Sequence, residues 1–340
     1  MSQGQIFRAG DVVLQSGHVF PDLQLVYRSY GRLNAARDNV IVYPTSFAAQ
    51  HFDTEWLVGP GGILDTDRWF VVIPNLFGNG LSSSPSNSTD RFKLSEFPRI
   101  AYHDAVSVQR RMLEEVFGIS QVALVYGWSM GGMQAYQWAA SFKSMVRRVA
   151  VVCGSARCSP YNFVFLEAVK AALTADPAYR DHVFHAPPVA GLRAMGRIYA
   201  GWAMSHPYFR DEMWREAGFG SLEAYLEGSW DRAFARRDAN DLLAQIGIWQ
   251  AGDISRTKAF AGDFPRAMAS ITADVLLMPG GTDRYFQVTD NDAEIPLLTA
   301  ARSVALRPIS SPHGHRAGNP HNIPADREFL RAQVAQFLQT

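Results

Sequence analysis

The hexapeptide Gly127-Trp128-Ser129-Met130-Gly131-Gly132 sets a serine between two glycines, one two positions before it and one two positions after. The apolar run Gln121 to Tyr126 leads into it, and the helix-like stretch Met133 to Phe142 leads out. A serine on a tight strand-to-helix turn is pushed out above a sheet edge, and only small flanking residues avoid collision across that turn. Ser129 is therefore a candidate nucleophile for acyl transfer. A serine hydroxyl is a weak nucleophile at neutral pH, so it needs an imidazole base, and the imidazole needs a carboxylate to hold its tautomer. In this kind of turn the acid and then the base follow the serine along the chain.

The acid belongs in the turn after a late strand. Val275 to Met278 reads as that strand, and Pro279-Gly280-Gly281-Thr282-Asp283 follows it, so Asp283 is the preferred acid. Asp274, Asp290 and Asp292 are the alternatives, more simply read as a solvated strand start, a helix start or a loop. The base belongs in Ser311 to Pro320, a glycine- and proline-rich loop that can aim a side chain inward. His315, directly after Gly314, is preferred over His313, with His321 as a third choice. The pair His313 and His315 also suggests a metal, but no carboxylate or cysteine stands at ligand spacing, so no metal is expected. The tetrahedral intermediate needs N–H donors for its oxyanion. One is the backbone N–H of Met130, at a helix start where the dipole favours negative charge. The second should come from the loop Thr45 to His51, with Ser46 preferred and Phe47 next.

These residues require a scaffold that brings strand ends together. Leu23 to Tyr30, Asn39 to Tyr43, Trp69 to Ile73, Gln121 to Tyr126 and Val149 to Val152 read as strands, several of them as unbroken apolar runs buried on both faces. Ala101 to Phe117 reads as a helix stopped by Gly118. Strand, helix and strand in alternation imply a mostly parallel sheet with helices on both faces, the α/β class. From about residue 158 to 265 the chain becomes rich in aromatics and helix formers with no clear buried strand. The expected organisation is a core of residues 1–157 and 266–340, interrupted by a helical cap over 158–265. Ser303 to Pro308 closes the sheet and Asp326 to Leu338 is a final helix. The polar Ser82 to Ser88 reads as a surface loop.

Composition narrows the partners. Lysine plus arginine equals aspartate plus glutamate at 32 each, so nothing favours nucleic acid or an anionic membrane. No apolar run approaches the roughly 18 residues that span a bilayer. The first residues lack the basic and apolar regions of a secretory signal, and Cys153 and Cys158 are too few for a disulfide framework. These features point to a cytoplasmic protein with a small-molecule substrate and inert cysteines.

Val58-Gly59-Pro60-Gly61-Gly62-Ile63-Leu64-Asp65-Thr66-Asp67-Arg68-Trp69-Phe70 resembles a signature of the homoserine O-acetyltransferase superfamily of α/β hydrolases. The loop Pro74 to Pro85, the elbow Gly127 to Trp138 and Gly314-His315 resemble that superfamily too. The resemblance covers nearly the whole chain, is weakest in the cap, and implies a triad of Ser129, Asp283 and His315. It also implies a helical cap through which two subunits pair. Two departures stand out. The family's Tyr-Arg-Ser stretch, whose arginine holds the substrate carboxylate, aligns with Ala203-Met204-Ser205, and Arg193, Arg197 and Arg210 are out of register. Pro44-Thr45-Ser46-Phe47 replaces the family's His-Ala-Leu-Thr-Gly. The stretches Tyr43 to Thr45, Phe77 to Asn87 and Gly314 to Pro320 are similar to a hydrolytic branch that includes ethyl acetate hydrolase and short-chain acetyl esterases.

The expected activity is therefore hydrolysis of small, uncharged acyl esters, acetates above all, in an apolar pocket under the cap and with no cofactor. The alternative is acetyl transfer from acetyl-CoA to homoserine or a similar alcohol. A cationic anchor in the pocket would distinguish the two, and none is expected.

Overall fold

The computed structural model describes residues 4–88 and 94–339. Eight strands form the central sheet: β1 (Gln5–Arg8), β2 (Gln24–Tyr30), β3 (Val40–Val42), β4 (Phe70–Pro74), β5 (Leu124–Trp128), β6 (Arg148–Val152), β7 (Asp274–Met278) and β8 (Ser303–Leu306). Their order across the sheet is β1-β2-β4-β3-β5-β6-β7-β8. The pairs β1/β2 and β2/β4 are antiparallel and all other neighbours are parallel. This is the mostly parallel α/β sheet expected from the alternating pattern, in the α/β-hydrolase arrangement that the family resemblance implies.

Apolar runs form these strands because both faces of the sheet are covered. Successive side chains alternate between faces, so each run feeds two cores. Val40 and Val42 enter one core while Ile41 and Tyr43 enter the other. Val149 and Val151 separate from Ala150 and Val152 in the same way, as do Val275 and Leu277 from Leu276 and Met278. Each fully buried aliphatic side chain contributes roughly 1.5–3 kcal/mol. The first face carries helix α1 (Tyr102–Phe117) and helix α2 (Met130–Ser141). Helix α1 starts where the Asp104 carboxylate accepts the Ala101 N–H at 2.9 Å, and it ends at Gly118 with φ of 63°. There the Ile119 N–H reaches back to the Leu113 carbonyl, closing the last turn.

Everything between Val152 and Asp274 is inserted between two adjacent parallel strands, β6 and β7. The insertion contains helices α3 (Pro160–Thr174), α4 (Val189–Ala203) and α5 (Ala239–Gln250). Helix α5 ties the insertion to the core. Asp241 accepts from the Ser86 N–H and hydroxyl at 2.9 and 2.7 Å, and Gln245 accepts the Ala48 N–H at 2.7 Å.

Two expectations need correction. The cap contains a small antiparallel ladder, Tyr179–Arg180 with Val183–Phe184, and both Val183 and Phe184 are buried. Its turn residues Asp181 and His182 both have positive φ, the signature of a tight hairpin turn, without the Asn-Gly or Asp-Gly pair that usually announces one. The serine-rich loop is not a surface feature: Ser82, Ser83 and Ser84 are buried. Ser82 Oγ donates to the Asn75 carbonyl and accepts the Val26 N–H, while Ser83 Oγ accepts the Gln24 N–H. A hydroxyl can both donate and accept, as that of Ser82 does, so small serines satisfy buried backbone groups beside the start of β2.

Candidate active site

Strand β5 delivers Ser129 to its carboxyl end, and α2 begins at the next residue. Ser129 has φ of 59° and ψ of −126°, a strained conformation for a residue with a side chain. The flanking glycines are required by contact. A Cβ on Gly127 would lie 2.0 Å from the Gly131 carbonyl oxygen, and one on Gly131 would lie 2.6 Å from the Pro44 carbonyl oxygen. The turn is fixed to the sheet through the Ser129 N–H, which donates to the Val152 carbonyl at 2.9 Å. Ser129 is buried, and it lines a cavity of about 410 Å³ between the sheet edge and the inserted helices.

His315 lines the same cavity. Its Nδ1 lies 2.6 Å from Asp283 Oδ2, and the two side chains are 4% and 0% exposed, so the contact is closed to solvent. Asp283 Oδ1 accepts the Tyr285 and Phe286 N–H groups, both at 3.1 Å. Asp283 Oδ1 is occupied by these two backbone donors, and a carboxylate can only accept, so Nδ1 is the donor to Oδ2 and Nε2 keeps its lone pair. The imidazole is clamped by rings: Tyr285 at 4.4 Å, Trp128 at 5.0 Å and Phe286 at 5.6 Å between centroids. Gly314 precedes it with φ of 58°, and a Cβ there would lie 2.5 Å from the Ala203 carbonyl oxygen. The glycine thus lets the end of α4 close over the histidine. Thr282 joins the two loops by donating to the Ser311 carbonyl and accepting the Gly314 N–H. Ser129 Oγ makes no hydrogen bond among the described residues and stands free in the cavity. Such bonds tighten when substrate is bound.

The alternatives sit elsewhere. Asp274 pairs with Arg302 at the opposite end of β7. Asp290 and Asp292 lie on the short helix Val288–Glu294, away from the histidines' hydrogen bonds. His313 lines a neighbouring cavity instead of the one that holds Ser129, and His321 lines both while resting on Trp56.

Ser46 and Phe47 both line the Ser129 cavity. The Ser46 hydroxyl donates to the Trp128 carbonyl, which holds this loop against the nucleophile turn. The Ser46, Phe47 and Met130 backbone N–H groups find no acceptor among the described residues. Buried backbone donors are nearly always paired, so these N–H groups on the two loops beside Ser129 are open to an acceptor oxygen. For Met130 the cause is its position at the start of α2, where the first N–H groups have no partner within the helix.

Cys153 was read from the sequence as inert, and its location was not foreseen. Its sulfur, the Asp283 carboxylate and the His315 ring have donor atoms within 4.8 Å of one another. Burial first, then the Asp283 charge, pushes the thiol well above its ordinary range. It stays protonated, whereas a metal ligand must be a thiolate. The imidazole nitrogen facing the carboxylate is already bonded, so the donor set does not suit a metal.

No cationic anchor is expected from the sequence, yet the cavity wall carries cations. Arg236, Arg237 and Arg316 all line the Ser129 cavity. Arg237 is paired with Asp53 at 2.5 Å. The three arginines considered from the alignment play no such part: Arg193 and Arg197 pair with Glu223 and Asp231, and Arg210 pairs with Asp211. The aromatic wall is smaller than the composition suggested, with Tyr199, Trp230 and Phe234 as its cap contribution. Phe165, Tyr208, Trp214 and Trp249 are buried in the core packing instead.

Residues 62–291 match the model of the α/β-hydrolase-fold family. The chain is 33% identical over 314 residues to an ethyl acetate hydrolase from Pseudomonas veronii, covering 92% of this chain and 88% of that protein. It is also 33% identical over 361 residues to a homoserine O-succinyltransferase from Methylibium petroleiphilum, covering 95% and 91%. Among solved structures, the acetyl esterase MekB superposes with a TM-score of 0.95 at 32% identity, covering 100% of this chain and 97% of that one. The resemblance to the homoserine acyltransferase superfamily and its esterase branch is thereby borne out.

Proposed function

The chain belongs to the α/β-hydrolase family and is a hydrolase, and we propose that it cleaves small acyl esters, acetates above all, through Ser129, His315 and Asp283. The observation that carries this reading is the buried His315–Asp283 pair on the wall of the cavity that holds the free Ser129 hydroxyl. His315 Nε2 takes the Ser129 proton as Oγ attacks the ester carbonyl. Asp283 fixes the tautomer and balances the imidazolium charge. The oxyanion accepts the Met130 N–H and that of Ser46 or the adjacent Phe47; one such donor typically changes turnover by about 10²–10³-fold. His315 then protonates the departing alcohol. Water, deprotonated by the same nitrogen, attacks the acyl-enzyme and frees the acid.

Names among the relatives support the reading, since ethyl acetate hydrolase and acetyl esterase MekB match over almost the full chain. Transfer of the acyl group to an acceptor alcohol is the second reading. It shares the acyl-enzyme, and the homoserine O-succinyltransferase relatives and the arginines at the cavity favour it. Acetate release from ethyl acetate and p-nitrophenyl acetate, with and without homoserine and acetyl-CoA, separates the two. Hydrolysis in buffer alone, reduced at least about 10⁴-fold in Ser129→Ala, is expected. Turnover only when acceptor and acyl-CoA are both present would replace hydrolysis with transfer.

The cap also suits pairing of two subunits. Tyr161, Phe163 and Val164 on α3 are between 44% and 59% exposed, an apolar face unusual for an isolated helix in water. A homodimer through this face is expected in sedimentation, and a monomer near 37.7 kDa at all concentrations would remove it.

A further inference from the structure

Arg236 and Arg316 stand out by what they lack. Neither guanidinium has a hydrogen-bond or ion-pair partner among the described residues, whereas Arg237, in the same cavity wall, is held by Asp53. One comes from the inserted segment after Phe234, the other from the core loop directly after His315, so two distant parts of the chain bring them together. Both residues line the cavity that holds Ser129, and both also line the neighbouring cavity of about 730 Å³. They stand where the two spaces meet. Trp230, Ala233, Asn319 and His321 complete this shared rim. Among the described residues the carboxylates in the two walls are Asp53, already paired with Arg237, and Glu216, confined to the outer space. Two guanidinium groups without an ion-pair partner among the described residues remain beside a pocket whose one carboxylate is already neutralised by Arg237.

Resting on the esterase reading of Ser129 and His315, we infer that this rim is a subsite for an anionic group on the alcohol portion of the ester, so that the preferred substrates are acyl esters of hydroxy acids. The side follows from the chemistry. The leaving alcohol takes its proton from His315, so the alcohol lies on the His315 side of the cavity, and Arg316 is the next residue. The carbonyl oxygen points instead toward the N–H groups of Met130 and Ser46. A guanidinium presents its donors as a planar fork that fits a carboxylate with two parallel bonds, and two forks from different loops fix its position.

Two isosteric probes differ only in charge: O-acetylglycolate, a carboxylate, and O-acetylglycolamide, its neutral amide. The ratio of their kcat/KM values is measured at low salt in the wild type, in Arg236→Gln, in Arg316→Gln and in the double variant. The wild type should favour the anion by about tenfold, with the preference carried mainly by KM, and the double variant should lose that preference. Added salt should erode it as well, because the rim is open to solvent. A wild-type ratio near one, or a ratio kept by the double variant, overturns the subsite. So does turnover of p-nitrophenyl acetate with neither glycolyl ester accepted. Thermal shifts of Ser129→Ala with each probe test binding without catalysis, and stabilisation by the amide equal to that by the carboxylate also overturns it. If the wild type cleaves none of these esters while Ser129→Ala is still stabilised selectively by the carboxylate, the esterase reading fails and the anion subsite stands.

Discussion

Two histidines separated by one residue each approach a carboxylate, and only one of them is built for chemistry. His315 meets Asp283 at 2.6 Å, with both side chains closed to solvent and the ring held between Trp128, Tyr285 and Phe286. His313 lies 3.8 Å from Asp326, and Ser311 stands between them. There the serine hydroxyl donates to the carboxylate itself at 2.6 Å, so the acid orients the serine and leaves the imidazole less constrained. Ser311 also lacks the positive φ that Ser129 has. Serine, histidine and aspartate thus occur twice within reach of one loop. The difference lies in which group the carboxylate holds, how dry the pair is, and how the serine's backbone is turned. Burial first, with the Arg316 charge adding to it, pushes the His313 imidazole below its ordinary range against the pull of Asp326 and Glu216.

Substitution separates the two pairs. His315→Ala and Asp283→Asn should each lower kcat/KM for p-nitrophenyl acetate by about 10³–10⁴-fold or more, because the first removes the base and the second reverses its tautomer. A loss below tenfold for Asp283→Asn would mean that the buried pair is structural. Gly314→Ala should lower activity at least tenfold and cost roughly 1–3 kcal/mol of stability, since its Cβ meets the Ala203 carbonyl at 2.5 Å and its φ is 58°. Thermal melts and kinetics on the same sample check both parts; wild-type values would show that the end of α4 can retreat without disturbing His315.

A third buried carboxylate, Glu294, sharpens the comparison because it has no imidazole at all. It accepts the Ala156 N–H, the Tyr136 hydroxyl and the Asn291 amide, yet burial outweighs these bonds and its pKa is pushed up to about 7. The native state then binds a proton that the unfolded chain has already released. This contribution to stability is present below the unfolded value near 4.5 and is lost as pH rises toward 7. Melting temperature should therefore decline across that window from this group, and Glu294→Gln should flatten the decline. Parallel wild-type and variant curves from pH 4.5 to 7.5 would refute it. The smallest effect belongs to the other histidine: His313→Ala should change kcat/KM by less than about threefold. A loss comparable to that of His315→Ala would reverse the assignment of the two pairs.

The nucleophile was legible in the sequence because most of what shapes it is local. A strand, a turn with glycines at both flanks and a helix start fall within a short span, and sterics across the turn require Gly127 once Ser129 is raised above the sheet, whereas Gly131 makes room for the Pro44 carbonyl of a distant loop. The sheet was legible for a related reason, since strands buried on both faces must be continuously apolar. Asp283 and His315 could be named from chain order and loop composition, but their neighbours could not. Composition misled wherever polarity was taken for exposure. Ser82 and Ser83 are buried with hydroxyls that satisfy backbone groups of a strand more than fifty residues earlier, and Ser84 bonds its own loop at Gly80 and Ser82. The arginines escaped notice because alignment searched for one cation at one position, while the fold supplies Arg236 and Arg316 from segments eighty residues apart. Short-range sterics and hydrophobic periodicity are properties of neighbouring residues, so the sequence alone determined the fold class and the serine turn. Which charges are paired, which histidine is dry and which cations reach the cavity depend on contacts between distant segments, and those were decided only when the chain packed.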